Sequence, residues 1–291
     1  MQAFAYVPVT TVEQAVTVLS NEGDAVRVLS GGTDLLVQMR EGRRKVGTVL
    51  DIKGIPEMNE LSLDLHGGLR IGAAVPCYRI CAHPGIADHY PGLVDAISVI
   101  GGMQIQGRAS LGGNLCNASP AADSIPALIV HGAIAIIAGP DGKRELAVDQ
   151  FCLAPGVNAL GRGELLVSLH IPTPPLHFGA AYLRFIPRHE MDIAVVGAGA
   201  AVVLDGAGTT FQSARVALGA VAPRPLSIVD IEQTLAGRMC TEEVIADAAR
   251  VAQSAARPIT DMRGSAAQRI HLSAVLTRRA IEKAIERARV N

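Results

Sequence analysis

Two glycine-containing segments, about eighty residues apart, carry residue types suited to binding a phosphate-bearing ligand. The first is Ser30-Gly31-Gly32-Thr33-Asp34, which follows a short apolar stretch and precedes one helical turn. Because glycine has no Cβ, consecutive backbone N–H groups of such a turn can converge on an anion such as a pyrophosphate. The same residues would also serve as an ordinary strand-to-helix turn, so this segment alone leaves both interpretations open.

The second segment, residues 110–124, combines small residues, amides, hydroxyls and one carboxylate, and contains no lysine or arginine. Its Gly112, Gly113 and Asn114 would offer backbone N–H groups to phosphate oxygens, and Asp123 would accept hydrogen bonds from sugar hydroxyls. A long surface loop or a patch of small-residue packing is the alternative interpretation. Together, the two segments could hold one dinucleotide from two sides if a shared sheet fixed their separation.

The composition excludes several other classes of function. Among 291 residues, 49% are hydrophobic and 18% charged, which excludes a disordered polar tract and allows about two domains. A net charge of −1 provides no strong electrostatic field to attract nucleic acid. Five Phe, four Tyr and no Trp provide little aromatic surface on which bases could stack. Five cysteines, without CxxC spacing or histidine partners, predict no metal or cluster in this chain.

The apolar runs and the N-terminus predict a cytoplasmic protein without a membrane span. Glu13 precedes any long apolar run, which is unlike a secretory signal. The longest apolar runs, 125–138 and 193–204, fall short of the ~20 residues of a spanning helix. An odd number of cysteines is typical of a reducing compartment.

The elements that must position the first segment are predicted as a strand–helix–strand–turn–strand unit. Thr10 and Glu13 form a capping-box pattern, and the helix that follows is expected to end at Gly23. Further strands and helical turns are expected before the second segment, at 25–29, 35–39, 46–52, 69–74, 78–82 and 91–100.

The rest of the chain is predicted as strands followed by helices. Residues 124–172 alternate apolar stretches with turns, which favours strands over long helices. After a proline-rich boundary near residue 175, strands over 193–204 and 214–220 are joined by a glycine turn. Helices follow Thr241 and span 265–289. The class is therefore α+β, with domains over 1–175 and 176–291.

Two features near this boundary are assigned no chemistry. Gly197-Ala198-Gly199 follows an apolar strand, as a dinucleotide-binding fingerprint does, but the apolar run continues to Leu204 where a helix would have to begin. We therefore predict a buried strand there. The histidines of the boundary have no acid or nucleophile at a recognisable spacing, so core, surface or interface roles are expected for His170, His177 and His189.

The strings VLSGGTDLLVQMR and SLGGNLCNASPAADSIPAL resemble the two FAD-binding signatures of the flavin subunits of molybdenum hydroxylases, the xanthine dehydrogenase and carbon monoxide dehydrogenase group. The similarity continues in the strings at 192–196, 217–225, 261–266 and 278–280, so it covers nearly the whole chain. The resemblance implies noncovalent FAD and two domains. The first is a vanillyl-alcohol-oxidase/xanthine-dehydrogenase-like FAD-binding domain over 1–175, with parts over about 1–54 and 55–175. A carbon-monoxide-dehydrogenase-flavoprotein-like domain of antiparallel strands and a helical bundle follows.

The resemblance also implies which residues contact the cofactor. In the first signature these are Leu29, Ser30, Gly31, Gly32, Thr33, Asp34 and Leu35. In the second they are Ala109, Ser110, Gly113 and Asn114 at the pyrophosphate, with Asn117, Ala122 and Asp123 towards the ribityl and ring end. Ala73, Ala74 and Leu166 match small or apolar contacts. Arg184 occupies the place where many relatives carry a lysine beside the flavin. No catalytic residue and no metal ligand is implied.

Partner subunits follow from the same resemblance. A large subunit would carry molybdopterin cytosine dinucleotide or a related molybdenum cofactor, and a small subunit two [2Fe–2S] clusters, in a dimer of heterotrimers. This chain would pass electrons from the clusters to an external acceptor. A self-contained FAD-dependent oxidase of the vanillyl-alcohol-oxidase-like fold is one alternative, disfavoured by the short chain left after Pro175. A nucleotide-binding or assembly protein that has lost flavin is another, disfavoured by the intact glycine turns and Asp123.

Overall fold

The computed structural model describes residues 2–188 and 191–291, and its chain begins with a three-stranded parallel sheet. The strands lie in the order β1-β3-β2, and two helices connect them. The elements are β1 (Ala5–Pro8), α1 (Val12–Glu22), β2 (Val26–Leu29), α2 (Leu35–Arg40) and β3 (Thr48–Asp51). The predicted succession of elements is confirmed. His189 lies outside the described residues.

The cap of α1 lies one residue later than predicted. Thr11, not Thr10, is the N-cap, and its side-chain oxygen accepts a hydrogen bond from the backbone N–H of Gln14 at 3.2 Å. Thr10 instead donates its own N–H to the Gln14 side chain at 2.9 Å. The predicted end at Gly23 is confirmed, with a φ of 54° that favours glycine.

A five-stranded antiparallel sheet follows, in the order β4-β5-β10-β6-β7. Its strands and a small two-stranded ribbon are β4 (Leu61–Asp64), β5 (Gly68–Gly72), β6 (Ile134–Gly139), β7 (Gly142–Ala147), β8 (Cys152–Ala154), β9 (Val157–Asn158) and β10 (Leu165–Ile171). The helices between them are α3 (Cys77–Cys81), α4 (Pro84–His89), α5 (Pro91–Ile97), α6 (Met103–Gln106), α7 (Leu111–Asn117) and α8 (Ser124–Val130). Short 3₁₀ turns occur at Gly23–Ala25, Pro56–Asn59 and Val148–Gln150.

The prediction of strands from residue 124 onwards is wrong for its first seven residues, which form α8. Every residue of Ser124–Val130 is buried, so the sequence lacks the polar positions that would show a helical period. The second glycine segment is likewise no extended loop, since about half of it, Leu111–Asn117, forms α7. Ser110 caps that helix by accepting a hydrogen bond from the N–H of Gly113 at 3.1 Å.

The C-terminal part is a four-stranded antiparallel sheet, in the order β11-β12-β13-β14, packed against helices. The elements are β11 (Phe178–Phe185), β12 (Val196–Leu204), β13 (Phe211–Gly219), β14 (Leu226–Ser227), α9 (Asp230–Leu235), α10 (Glu242–Ala255) and α11 (Ala266–Ala288). The α+β class, the hairpin and the cap at Thr241 are confirmed, and Ser265 caps α11 by accepting a hydrogen bond from the N–H of Gln268. Gly199 lies inside β12 and pairs with Tyr182 and Ala217, so the buried strand is also confirmed.

Strand β11, which the sequence did not reveal, connects the two parts of the molecule. Helix α5 covers one of its faces at Gly92, where a Cβ would lie 2.8 Å from the carbonyl carbon of Ala180. Helix α11 covers the other at Gly179, where a Cβ would overlap the backbone of Ala284. The main core lies between the second sheet and helices α3 to α8, and a second core lies between the C-terminal sheet and its helices.

One ion cluster reinforces this junction. Asp95 of α5 accepts hydrogen bonds from Arg287 at 2.6 Å and Lys283 at 3.2 Å, both on α11, and from the N–H of Tyr182 at 3.2 Å. Burial alone would raise the pKa of Asp95, but the bonds and charges of these cations hold it below its usual value. The carboxylate therefore contributes to stability in its charged form.

Candidate functional site

A cavity of about 490 Å³ lies between the first sheet, helix α7 and strand β10. Thirteen of the residues that the resemblance implies as cofactor contacts line it: Ser30, Gly31, Gly32, Thr33, Asp34, Leu35, Ala73, Ala109, Ser110, Gly113, Asn114, Asn117 and Leu166. The structure therefore brings both glycine segments to one space. Cavities of this size are typical of small-molecule sites.

Direct contacts hold the two segments together. The hydroxyls of Ser30 and Ser110 lie 2.8 Å apart, although eighty residues separate them in the chain. A Cβ on Gly31 would overlap the carbonyl oxygen of Arg108, and a Cβ on Gly112 would lie 2.6 Å from that of Ala73. These two glycines are therefore required by the close approach of backbone to backbone.

The other two glycines differ in their surroundings. Gly32 has a φ of 77°, a left-handed conformation that a side chain would strain, and a Cβ there would also lie 2.8 Å from Cδ1 of Leu29. A Cβ on Gly113 would meet only the hydroxyl of Ser110 at 3.0 Å and the Cβ of Ser30 at 4.0 Å. Gly113 thus keeps open the space between the two segments.

Five residues predicted to contact the cofactor do not line the cavity. Leu29, Ala74 and Ala122 are buried in the cores behind its wall. Asp123 and Arg184 form a buried ion pair at the junction with the C-terminal sheet, with 2.9 Å between Arg184 Nη1 and Asp123 Oδ2. Their contact with a ligand stays a prediction.

Tyr182 completes this pair and was missed by the sequence analysis. Its hydroxyl donates to Asp123 Oδ1 at 2.7 Å, so both carboxylate oxygens accept hydrogen bonds from β11. Arg184 also donates to the carbonyl oxygen of Asp192 at 3.2 Å. The available signal was the spacing of two between Tyr182 and Arg184, which places both on one face of a strand.

Burial dominates the electrostatics of this group. Loss of solvent raises the pKa of Asp123 to about 6, although the charge of Arg184 and the two hydrogen bonds oppose that rise. Burial and the neighbouring carboxylate also raise the pKa of Tyr182 well above its usual value. Tyr182 is therefore a fixed hydrogen-bond donor at neutral pH.

Positive charge at the cavity comes from residues that the motifs did not include. Arg27, on β2, and Arg44, after α2, both line the cavity, together with Gln38. Asn158 of the β8–β9 ribbon also lines it and donates to the carbonyl oxygen of Cys116 at 2.8 Å. Guanidinium groups are suited to binding phosphate oxygens.

Within 2–188 and 191–291, no group of three or more His, Cys, Asp or Glu side chains is arranged to hold a metal ion. No helix in the same ranges is long and apolar enough to cross a membrane. All five cysteines are free thiols.

Comparison with known proteins gives the family. Residues 2–174 match the FAD binding domain in molybdopterin dehydrogenase, and residues 181–284 match the CO dehydrogenase flavoprotein C-terminal domain. The xanthine dehydrogenase FAD-binding subunit of Escherichia coli O157:H7 is 32% identical over 288 residues, which are 98% of this chain and 97% of that relative.

Solved structures of similar proteins match this chain over nearly its whole length. A carbon monoxide dehydrogenase structure from Hydrogenophaga pseudoflava, which lacks the Mo-pyranopterin moiety, matches with a TM-score of 0.94 at 27% identity and covers 98% of both chains. Quinoline 2-oxidoreductase from Pseudomonas putida 86 matches with a TM-score of 0.90 at 28% identity over 99% of both chains. The chain therefore belongs to the FAD-binding subunits of the xanthine and carbon monoxide dehydrogenase type of molybdenum hydroxylase.

Proposed function

We propose that this chain is the electron-transfer subunit of a molybdenum hydroxylase. It holds FAD noncovalently, accepts electrons from the [2Fe–2S] clusters of a small subunit, and passes them to an external acceptor. The observation that carries the proposal is the single cavity formed by both glycine segments, in a chain that matches the family over nearly its whole length.

The residues of the cavity fit this cofactor. Its volume of about 490 Å³ suits a small molecule, and Gly113 keeps its wall open where a Cβ would project towards Ser30. Arg27 and Arg44 line the cavity beside the carboxylates of Asp24, Asp34 and Glu164, and their guanidinium groups are the donors suited to a diphosphate. When bound, FAD supplies the one- and two-electron redox chemistry of the subunit.

We assign the pyrophosphate to the two glycine segments. Ser30, Gly31, Gly32, Thr33, Asp34, Ala109, Ser110, Gly113 and Asn114 would hold it, with Leu35, Ala73, Asn117 and Leu166 on the adjoining wall. Leu29, Ala74 and Ala122 would shape that wall from behind, since they are buried. The first segment would bind the pyrophosphate through its turn, and the second would bind it through the start of α7.

We assign the ring end to Asp123 and Arg184. Two hydrogen bonds from β11 fix the Asp123 carboxylate, and that carboxylate holds the guanidinium of Arg184 in one place. A cation fixed in a buried site stabilises negative charge nearby more strongly than one in water. Arg184 would therefore favour the anionic form of the reduced cofactor.

The partner subunits belong to the same proposal. We infer a large subunit with a molybdenum cofactor and a small iron–sulfur subunit, in a dimer of heterotrimers in the cytoplasm. Support comes from relatives that are described as subunits or chains of dehydrogenases, such as the carbon monoxide dehydrogenase medium chain of Hydrogenophaga pseudoflava. The substrate would then bind in the large subunit. The domain division near residue 175 would place the two glycine segments on one side of the flavin site and Arg184 on the other.

The test is purification of the native complex through an affinity tag on this chain. We expect two further chains, with molybdenum and iron, and reduction of the flavin by substrate only while those chains are present. Turnover of a substrate by the isolated flavin-loaded chain would instead show a self-contained oxidase. A folded chain without flavin would show an assembly protein.

A further inference from the structure

The β8–β9 ribbon forms one wall of the dinucleotide cavity, although it belongs to neither glycine segment. Gly156, Val157 and Asn158 of this ribbon all line the cavity. The apolar side chain of Val157 is 50% exposed, and the amide side chain of Asn158 is half-buried beside it. A wall that combines apolar surface with a few placed polar groups is typical of a ligand site.

The ribbon is anchored to the C-terminal end of α7. The backbone N–H of Gly156 donates to the carbonyl oxygen of Ala118 at 3.1 Å, and Nδ2 of Asn158 donates to that of Cys116 at 2.8 Å. These carbonyl groups belong to the last turn and the C-cap of α7, where a helix leaves its acceptors without internal partners. The ribbon therefore has a fixed position relative to the start of the same helix.

The amide group of Asn158 can take only one orientation. The carbonyl oxygen of Cys116 only accepts, so it must face Nδ2, and the N–H of Leu160 only donates, so it must face Oδ1, which lies 3.1 Å away. An amide nitrogen carries two hydrogens, and the Cys116 oxygen is the one acceptor of Nδ2 among residues 2–188 and 191–291. The second N–H of Asn158 is therefore left for a ligand in the cavity that this residue lines.

Asn59 shows the contrasting case of an amide used only by the protein. Its Nδ2 donates to the carbonyl oxygens of Lys53 and Ile55, each at 2.9 Å, so both of its hydrogens are taken. Asn59 is also absent from the cavity wall. The two asparagines thus share the task of holding backbone carbonyl groups, but Asn158 alone of this pair retains a donor beside the cavity.

The place of Asn158 along α7 indicates which half of the cofactor it meets. The seven residues of α7 rise about 10 Å from the start of the helix, where we assign the pyrophosphate, to its end, where the ribbon is attached. Asn117, the last residue of α7, is expected towards the ribityl and ring end. Asn158 bonds to the neighbouring residue, Cys116, so it lies on that same side of the pyrophosphate.

We propose that Asn158 is a further cofactor-binding residue, whose second Nδ2 hydrogen donates to an oxygen of the ribityl–flavin half of FAD. This inference rests on the proposed function, because it takes FAD as the occupant of the cavity. The ribityl hydroxyls and the carbonyl groups of the flavin ring are the acceptors that this half offers. The anchor on Cys116 fixes the donor before the ligand binds, so little side-chain freedom is lost on binding.

The test compares riboflavin and ADP, which represent the two halves of FAD, on the flavin-free full chain. Riboflavin binding is followed by flavin fluorescence, and ADP binding by competition with FAD. In NMR spectra of the wild-type chain, one of the two Nδ2 protons of Asn158 should shift with FAD and with riboflavin, and neither should shift with ADP. Unshifted protons in a chain that binds FAD would overturn this inference alone, whereas a chain that binds no FAD would overturn the proposed function as well.

One variant and a matched control separate ligand binding from support of the ribbon. Asn158→Ala should raise the Kd of FAD and of riboflavin about three- to tenfold, as for one neutral hydrogen bond, and change that of ADP by less than about twofold. Asn59→Ala also removes an amide that holds backbone carbonyl groups, and it should lower stability but leave all three Kd values unchanged. Unchanged riboflavin and FAD affinities in Asn158→Ala would overturn the proposal. Equal losses for ADP and riboflavin would overturn it too, since they would show that Asn158 only supports the ribbon.

Discussion

Replacing Gly113 with alanine is expected to weaken FAD binding while leaving the stability of the flavin-free protein almost unchanged. Gly113 lies in the first turn of α7, and its Cβ would meet the hydroxyl of Ser110 at 3.0 Å and the Cβ of Ser30 at 4.0 Å. The added methyl group therefore enters the space between the two glycine segments and does not strike backbone. The Ser110 hydroxyl has to shift by only a few tenths of an ångström.

The effects of this substitution on stability and on FAD affinity have different magnitudes. Alanine in place of glycine stabilises a helix by about 0.5–1 kcal/mol, which offsets the crowding at the Ser110 cap. The unfolding free energy of the flavin-free protein should therefore change by less than about 1 kcal/mol. Loss of one charge-assisted hydrogen bond to a phosphate costs about 1.5–3 kcal/mol, which is about a 10- to 100-fold rise in Kd.

The assay is titration of the flavin-free chain with FAD, followed by flavin fluorescence, together with urea unfolding of the same preparation. Gly206→Ala is the matched control, because a Cβ there meets nothing within 4 Å, and it should leave Kd unchanged. Gly112→Ala should instead lose stability, by about 1–3 kcal/mol, because its Cβ lies 2.6 Å from the carbonyl oxygen of Ala73. Wild-type affinity in Gly113→Ala, or a loss of more than about 2 kcal/mol in stability, would refute the reasoning.

Three further predictions concern the buried groups at the junction. Tyr182→Phe removes the 2.7 Å hydrogen bond to Asp123, so it should lower the unfolding free energy by about 1–2 kcal/mol and raise the pKa of Asp123 further. Urea unfolding and carboxyl NMR measure these two effects, and an unchanged pKa of Asp123 would count against the prediction. Burial raises the pKa of Asp123 from about 3.9 in the unfolded chain to about 6, so its contribution to stability should increase as pH falls from 7 to 4. The difference between wild type and Asp123→Ala in unfolding free energy tests that sign, and an increase with rising pH would contradict it. Asp95→Asn should cost about 1–3 kcal/mol at pH 7, because it breaks the contacts with Arg287. The folded pKa of Asp95 is lowered, so this cost should be lost as the pH falls through that pKa and wild-type Asp95 becomes protonated as well. Asp88→Asn on the neighbouring helix is the control, and a cost that stays equal in acid would contradict the ion-pair explanation.

Elements whose signals are local could be predicted from the sequence. The cap at Thr241, the end of α1 at Gly23 and the glycine hairpin before β13 each depend on residues within a few positions of one another. The error at Thr10 has the same origin, since two adjacent threonines offer two caps and only the structure shows that Thr11 is used.

Elements buried on every side could not be predicted in this way. Helix α8 is buried along its whole length, and β11 lies between α5 and α11, so neither shows the alternation of polar and apolar residues that distinguishes strand from helix. Both were recognisable only from contacts with elements far away in the chain.

The same distinction between local signals and long-range contacts applies to the residues of the candidate site. The two glycine segments could be found because each is a short motif, and the structure places them around one cavity. The link from Tyr182 to Asp123 spans 59 residues, and Arg27 and Arg44 reach the cavity from outside both motifs, so no local pattern indicates them. Asp123 shows the consequence, because its two oxygens bind β11 where the sequence suggested ligand hydroxyls.

The most direct test is the amount of flavin bound to the native complex that is purified through a tag on this chain. Acid precipitation should release one FAD per chain into the supernatant, and the protein pellet should retain none, because the cofactor is held without a covalent bond. A folded chain that yields no FAD, or flavin that stays with the precipitated protein, would contradict the account.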